Sequence, residues 1–307
     1  MKRLFLASAV AAALAAPTMQ IARAADAAPA SPHTFTGNVG LFSQYIFRGL
    51  TQTNESPALQ GGFDYSHSSG FYVGTWASNI GWFTDQNVGS PKGTAPGPTS
   101  LGAPGGVGAP FIANLFNSTN VEWDFYGGYK GSFSDNFTFD VGALKYYYPG
   151  KYENLANLFS KPDTLEFYGS LGWKWITAKY SQSVTDTFGV KNSKGSNYLD
   201  ISAAIPIGDS GFKLGLHYGK QTYKGSSPVL AFGWGAATTL TNNVFSYSDY
   251  KASLTKDWLG MTWSLAATST NAKAQTTNNR ITGDVYQNVY GRNIGKSQIT
   301  LGVQKTF

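Results

Sequence analysis

Histidine is the first residue type to consider for catalysis in this sequence, because it can exchange a proton near neutral pH. The chain holds three, His33, His67 and His217. A Ser-His-acid hydrolase would need one of them beside a serine and a carboxylate. His217 has Lys213 as its same-face neighbour four residues earlier, and no serine lies within two positions of it along the chain. The sequence therefore favours a protein that is not an enzyme. A hydrolase completed by a serine on a neighbouring strand is the less favoured alternative.

Other reactive centres are missing from the sequence as well. It contains no cysteine and no cluster of histidines, so its pattern predicts neither thiol chemistry nor a metal site. It shows no nucleotide-binding motif, and we expect no cofactor. The net charge is +6, from 23 basic and 17 acidic residues, and three of the basic residues belong to the first 24 positions. The remaining excess is too small to indicate a nucleic acid partner.

Polar and apolar side chains alternate in much of the chain, which is the period-two pattern of a β-strand with two different faces. The clearest case is the stretch from Gly61 to Ile80, which a Ser/Gly-rich turn divides into two runs. We expect an antiparallel hairpin there, with Gln60 and Asp64 on the polar face. The predicted apolar face holds Phe63, Tyr65, Tyr72, Trp76 and Ile80.

The composition of the chain indicates what surrounds the apolar faces of the strands. Only 13% of the residues are charged and 15% are aromatic, while the mean hydropathy of −0.21 is low for a protein with spanning helices. About twelve strands can be counted, and their connections alternate between short ones near residues 67, 132, 172, 209 and 258 and long ones near 53, 100, 155, 190, 235 and 283. This sorting is typical of an outer-membrane barrel, with short periplasmic turns and long outer loops. The predicted fold class is therefore an all-β, antiparallel transmembrane β-barrel.

The N-terminus has the pattern of an exported protein. A basic start, an apolar run and a small-residue exit predict a signal peptide over residues 1–24. An Ala/Pro-rich leader over 25–34 would precede a barrel over 35–307. We expect the protein in the outer membrane of a Gram-negative cell, with both termini in the periplasm.

Aromatic residues near the strand ends have two expected roles. Phe307 ends an alternating strand at the last position of the chain, which resembles the signal that the barrel-assembly machinery recognises. The others are predicted to form a girdle at the lipid interfaces, rather than a sugar-stacking track inside. They are Tyr45, Trp76, Trp123, Tyr146, Trp258 and Trp263.

The polar faces supply the candidate pore-lining residues. Arg48, beside Gly49 at the end of the first strand, has two readings: it steers anions at the outer mouth, or it pairs with a neighbouring carboxylate. The strand over 174–183 has a lysine on each face, so its facing stays open. The candidates are Gln44, Arg48, Gln60, Asp64, Glu122, Asp124, Asp140, Glu166, Asp200, Lys213, His217, Asp249 and Lys251.

A family resemblance accompanies these patterns. The chain resembles the TorF-type porin family of proteobacteria, most sharply in its first half, and departs from the family pattern over Thr84–Ser118. The resemblance implies an outer-membrane barrel of porin type and no particular substrate. The segments that carry it are NVGLFSQYIFRGLTQT over 38–53, PALQGGFDY over 57–65, GTWASN over 74–79, VGALKYYYPG over 141–150 and AKY over 178–180.

Taken together, the residues predict a channel that conducts small hydrophilic solutes passively through a narrow lumen of mixed charge. Its other partners would be outer-membrane lipid and the barrel-assembly machinery. The alternative is a closed or structural barrel whose lumen is filled by its own salt bridges and tyrosines and whose outer loops bind partners. The Gly/Pro-rich loop over 84–118 would serve such binding, or would fold inward to constrict the pore.

Overall fold

The computed structural model describes residues 31–86, 118–152, 160–230, 237–272, 286 and 293–307. The predicted signal peptide lies outside these residues, as do positions 87–117 of the Gly/Pro-rich loop. Within the described residues, helices are limited to two 3-10 turns, Thr84–Gln86 and Asn242–Phe245. No helix in this part of the chain is both long and apolar enough to cross a bilayer.

Sixteen strands form in the described residues, and twelve of them close into one antiparallel barrel in the order β1, β4 to β11, β14, β15 and β16. The predicted barrel and its strand count are confirmed. The strands are β1 (His33–Phe42), β2 (Ile46–Phe47), β3 (Leu50–Thr51), β4 (Ala58–His67), β5 (Phe71–Asn79), β6 (Val121–Ser134), β7 (Phe137–Tyr147), β8 (Thr164–Trp173), β9 (Ile176–Ser183), β10 (Asn197–Pro206), β11 (Phe212–Thr222), β12 (Ser226–Leu230), β13 (Ala237–Thr241), β14 (Tyr247–Trp258), β15 (Met261–Thr270) and β16 (Gln298–Thr306).

Large apolar side chains cover the outside of the barrel. Phe35 is 63% exposed, Leu59 61% and Ile299 68%, whereas Gln60 and Asp64 on the opposite face of β4 are buried. Exposure of such an apolar band to water would be unfavourable, whereas its contact with lipid is favourable. The exterior is therefore that of a transmembrane barrel.

Connections are sorted by length between the two ends of the barrel, as predicted. We call the end with the short turns the turn end; these turns are 68–70, 135–136, 174–175, 207–211 and 259–260. The opposite loop end carries the long connections over 43–57, 80–120, 148–163, 184–196, 223–246 and 271–297. A two-stranded hairpin of β12 and β13, which was not predicted, forms within the connection over 223–246.

The first connection folds into the barrel. The sequence predicts one strand from Phe35 to Gly49, but β1 begins at His33 and ends at Phe42. Beyond it, β2 and β3 form a small hairpin that we call the inner hairpin, residues 46–51. A hydrophobic core fills the loop half of the lumen around it. Its buried members are Tyr45, Ala58, Trp76, Ile80, Phe83, Tyr146 and Tyr148.

This internal core overturns part of the predicted outer surface. On β5, Phe71 and Val73 face outward at 62% and 55% exposure, while Tyr72 and Trp76 face inward and Ile80 is buried just beyond the strand. Aromatic residues occur on both faces of β5, because the inward face packs against the internal core and the outward face contacts lipid. The alternation of apolar residues therefore assigned Tyr72 and Trp76 to the wrong face. The predicted girdle is wrong for three of its six residues, since Tyr45, Trp76 and Tyr146 are buried inside and only Trp123, Trp258 and Trp263 are exposed.

The barrel closes between β1 and β16 at the C-terminal residue. The Phe307 nitrogen donates to the Gly37 oxygen at 2.9 Å, and the Gly37 nitrogen donates to the Phe307 oxygen at 2.8 Å. The Phe307 ring occupies the place where a side chain on residue 37 would begin. Glycine at this position therefore lets the terminal ring lie flat on the outside of the seam.

Candidate functional site in the barrel lumen

The inner hairpin reverses direction at Arg48 and Gly49, which have φ angles of 46° and 81°. Two consecutive positive φ values define the tight turn that joins two paired strands. Arginine is unusual there, because the left-handed conformation costs a side-chain-bearing residue about 1–2 kcal/mol. The Arg48 side chain must therefore make contacts that outweigh this strain.

Arg48 makes those contacts with two strands of the barrel wall. Its Nη1 donates to Glu166 Oε1 at 3.0 Å and its Nη2 donates to Glu166 Oε2 at 2.7 Å, which is a two-pronged ion pair. Nη1 also donates to Gln221 Oε1 at 2.7 Å. Glu166 lies on β8 and Gln221 on β11, so one guanidinium ties the hairpin tip to two separate strands of the wall.

Aromatic rings enclose the same guanidinium. Its Cζ lies 4.2 Å from the centre of the Tyr198 ring and 4.9 Å from that of Phe47. Arg48 and Glu166 are 6% and 1% exposed. An ion pair in so dry a setting is stronger than one at a surface, and it costs much more to break by removing one partner. We call Arg48, Glu166 and Gln221 the Arg48 clamp.

A second polar group lies under the hairpin, around the fully buried carboxylate of Glu122. Tyr45 donates to one of its oxygens at 2.7 Å and Tyr148 to the other at 2.9 Å. Burial, together with the nearby Glu122 carboxylate, raises the pKa of Tyr45 and of Tyr148 well above the usual tyrosine value. Both hydroxyls therefore remain donors, and no Lys, Arg or His among the described residues forms an ion pair with Glu122.

The third group centres on His217. Its Nε2 lies 2.9 Å from Asp249 Oδ1 and its Nδ1 lies 3.3 Å from Asp200 Oδ1. Tyr198 donates to the other oxygen of Asp249 at 2.9 Å, and the Ser202 hydroxyl donates to Asp200. Strands β10, β11 and β14 supply these residues side by side. The cluster joins three strands by hydrogen bonds among charged and polar groups.

The same cluster contains a serine that the linear sequence could not reveal. Ser202 is the register partner of His217, and its Oγ lies 3.0 Å from His217 Nδ1. A histidine with a carboxylate at each ring nitrogen is best satisfied as a doubly protonated ring, which leaves no lone pair to take a serine proton. Backbone amides beside Ser202 are paired in the ladders to β9 and β11, so they offer no oxyanion donors. The arrangement does not favour a hydrolase.

The other two histidines lie at the turn end. His33 and His67 face each other across β1 and β4, and their ring centres are 5.2 Å apart. Each Nδ1 is hydrogen-bonded to a hydroxyl, of Tyr65 for His33 and of Ser69 for His67. Among the described residues, no group of three or more His, Asp or Glu side chains is arranged to hold a metal ion.

All thirteen residues selected as pore-lining candidates have a definite place. Gln44 and Arg48 are buried in the inward-folded connection, and Glu122, Glu166, Asp200, His217 and Asp249 belong to the groups above. The other six candidates lie on the inward faces of their strands. Asp64 accepts from Tyr126 and Asp140 from Tyr72, while Lys213 and Asp257 form a 3.9 Å ion pair at the turn-end rim. The remaining inward candidates are Gln60, Asp124 and Lys251.

Several residues that make contacts inside the lumen were not among the predicted pore-lining candidates. Lys179, on the strand whose facing was open, points inward and lies 3.8 Å from the centre of the Tyr168 ring. Gln221 had a detectable signal, because it shares the parity of His217 four residues before it. Tyr45, Tyr146 and Tyr198 did not, because tyrosine suits both a lipid interface and a buried hydrogen-bonded site.

A small cavity remains beside the start of the inward-folded connection. It lies between the start of the inward-folded connection and strands β4, β15 and β16. Its lining residues are Phe42, Gln44, Tyr45, Ile46, Gln60, Ala266, Thr268 and Thr300. Charged side chains are absent from this lining, in contrast to the wall that holds the clamp.

Comparison with known proteins gives one family match and several distant structural likenesses. A family model described as a bacterial protein of unknown function, Gcw_chp, matches residues 26–307. None of the curated proteins is significantly similar in sequence. These matches do not confirm the narrower resemblance to TorF-type porins.

Solved structures with a similar fold include two porins and a transporter by their titles. A KdgM porin has a TM-score of 0.45 at 7% identity, over 89% of this chain and 99% of that chain. A NanC porin has a TM-score of 0.43 at 11% identity, over 89% and 98%. The P. putida toluene transporter TodX has a TM-score of 0.44 at 10% identity, over 91% and 90%. Likenesses this distant carry no argument about what this chain binds.

Proposed function

The chain belongs to the Gcw_chp family of bacterial proteins of unknown function, and we propose that it is a porin-like channel of the outer membrane. It would pass small hydrophilic solutes down their gradient, through a narrow lumen that the inner hairpin constricts. Short turns and both termini would face the periplasm, as is usual for such barrels.

The observation that carries this proposal is the polar lining of the turn half. Thr36, Ser170, Thr177, Ser253 and Ser264 face inward there and are only partly buried. A barrel that served only as a scaffold would gain stability from an apolar filling along its whole length. Small hydroxyl side chains fill less of the lumen than such an apolar filling and would leave room for water between them. The Arg48 clamp then sets the narrow part above it.

Uptake into liposomes tests the proposal. Purified protein would be reconstituted and offered neutral hydrophilic solutes of increasing size, with protein-free liposomes as the control. We expect uptake above the control for the smallest solutes and a steep decline with size. Uptake equal to the control at every size would contradict the channel.

One observation favours the second candidate, a closed barrel with partner-binding loops. The described residues of the loop half form a nearly dry core in which Tyr45, Glu122 and Tyr148 are at most 2% exposed. A lumen sealed in this way passes nothing. The size series separates the two candidates, because only a channel gives uptake that depends on solute size.

A further inference from the structure

We propose that the outside of the barrel, at the loop end of strands β10 and β11, binds the phosphate groups of a membrane glycolipid. Three exposed lysines supply the charge: Lys194, Lys220 and Lys224, which we call the lysine patch. The inference goes beyond the proposed channel and does not depend on an open lumen. It follows from the charges on the outer surface of the barrel and from the way two loops are tied together above it.

The outer surface of the barrel carries charge of one sign only. The twelve barrel strands are described in full, and every carboxylate on them lies on an inward face. Apart from two histidines at the turn end, the outward titratable or charged residues other than tyrosine are lysines near the rims. They are Lys145 and Lys220 near the loop end, and Lys256 and Lys305 near the turn end. Lysines in these positions can extend their ammonium groups to lipid headgroups at the membrane surface.

Lys220 lies at the boundary between the apolar band and the loops. It shares the outward face of β11 with Leu216, which is 44% exposed, while the neighbouring Gln221 is buried in the Arg48 clamp. Just below it, the rings of Tyr218 and Tyr250 lie 5.5 Å apart on the same outer surface. Tyrosine is enriched at the level of lipid headgroups. The Lys220 ammonium is therefore placed where lipid phosphate can reach it.

The two connections above this position hold the other lysines of the patch on a fixed backbone. Lys194 belongs to the connection over 184–196 and Lys224 to the connection over 223–246. The amide nitrogen of Asn242, which is fully buried, donates to the carbonyl oxygens of Lys191 at 3.0 Å and of Lys224 at 2.7 Å. The Lys224 nitrogen also donates to Ser196 Oγ at 3.1 Å. Because the two loops are joined, less ordering is needed when the patch binds a ligand.

The charge of the patch is not neutralised within the described residues, where none of its lysines forms an ion pair. Asp186 is the one acidic residue in the sequence of the two connections. Its carboxylate accepts hydrogen bonds from the Ser160 hydroxyl and from the Ser193 nitrogen. By contrast, Lys161, at the loop end between β7 and β8, is paired with Asp163 at 2.7 Å. The patch is therefore the part of this rim best suited to an anion.

The position of Lys220 indicates which anion binds. An outward side chain on a barrel strand is surrounded by lipid, so a headgroup phosphate meets it more readily than a dissolved anion does. In the proposed orientation the loop end lies at the outer leaflet, which in a Gram-negative outer membrane consists of a phosphorylated glycolipid, lipopolysaccharide. Each lysine close to anionic lipid strengthens binding by about fivefold, and salt weakens the attraction.

Lipid binding by the full-length protein in neutral detergent tests this inference. Diphosphoryl lipid A is titrated into the protein, and the lipid retained per barrel is counted by native mass spectrometry. We expect K220Q to weaken binding by about fivefold, and K194Q/K220Q/K224Q by about a hundredfold. Lipid A without its phosphates should bind the unaltered protein much more weakly, and this comparison requires no variant.

The matched control is K256Q. Lys256 is also an outward lysine, but it lies at the turn end, where its Nζ is 4.4 Å from the centre of the Phe212 ring. We expect K256Q to leave lipid A binding unchanged. Folding of each variant is checked by its heat-dependent gel mobility. A further arm adds inorganic phosphate in molar excess over lipid A, and we expect it to displace little of the lipid.

Three results would overturn the inference. Equal weakening by K220Q and K256Q would indicate general attraction between a basic protein and an anionic lipid. Equal binding of lipid A with and without its phosphates would exclude phosphate recognition. Displacement of lipid A by inorganic phosphate would assign the patch to a dissolved anion. None of these results bears on the proposed channel, which the uptake assay tests separately.

Discussion

Arg48 and Glu166 form a buried two-pronged ion pair that joins the inner hairpin to the wall of the barrel. Their four atoms meet at 3.0 Å and 2.7 Å across 118 positions of sequence. The strained conformation of Arg48 is explained by this contact, because a turn residue with an outward side chain would be served better by asparagine or glycine. The ion pair therefore helps to hold the hairpin in its position inside the lumen.

Replacing Glu166 by glutamine tests the ion pair. E166Q keeps the size of the side chain but leaves the buried guanidinium without its counter-charge, so we expect it to lower the free energy of unfolding by about 3–5 kcal/mol. Denaturant titration of the protein in lipid would measure this. The double variant R48Q/E166Q removes both charges and should lose less than the sum of the two single changes. A loss of unfolding free energy in the double variant equal to the sum of the two single losses would show that the two charges are not coupled.

Tryptophan fluorescence tests the corrected orientation of β5. In variants that keep one tryptophan each, lipids brominated on their acyl chains should quench Trp123 and leave Trp76 unaffected. Trp123 is 44% exposed on the outside, whereas Trp76 is 3% exposed inside the lumen. Strong quenching of Trp76 would restore the orientation expected from the sequence.

The two tyrosines that bind Glu122 predict a dependence of stability on high pH. Their pKa values are raised by burial and by Glu122, so in the unfolded chain they lose their protons first. Their contribution is complete below a pH of about 10, the ordinary tyrosine value, and is lost as the pH rises above it. We expect the unfolding midpoint to fall between pH 9 and pH 11.

The variant Y45F/Y148F isolates this effect from the titration of lysine. It lacks both hydroxyls, so its midpoint should fall less over the same interval, although it starts lower. An equal fall in both proteins would show that the tyrosines are not the cause.

Phe307 is predicted to act in assembly. We expect F307A to reduce the fraction of protein that reaches the folded, heat-modifiable form in the membrane, because the terminal ring is lost from the β1–β16 seam. F137A is the matched control, since Phe137 is also an outward aromatic residue near the turn end, at 50% exposure. Equal losses in the two variants would indicate a general effect of lost apolar surface.

Much of the fold was predictable from the sequence because two signals reinforced each other. The alternation of polar and apolar residues located the strands. The strict sorting of the connections by length indicated a barrel whose two ends lie on different sides of a membrane. The inward parity of residues such as Glu166 and His217 followed from the same alternation. Local patterns were sufficient where one face was polar.

The inner hairpin was not predictable for a physical reason. Tyr45 and Phe47 continue the apolar parity of β1, so the sequence extends the strand across the bend. The partner that holds Arg48 lies 118 positions away, and no local pattern encodes so distant a contact. Trp76 was misassigned for a related reason, because an aromatic residue packs equally well against lipid and against the hairpin.

Single-channel conductance in planar bilayers tests the central claim most directly. In the variant to be compared with the unaltered protein, residues 46–51 are replaced by two glycines, which removes the inner hairpin and leaves the barrel strands intact. The constricted-channel account predicts a small, discrete conductance for the unaltered protein and a larger one for the variant. Absence of discrete conductance from both proteins, or equal conductance in the two, would contradict it.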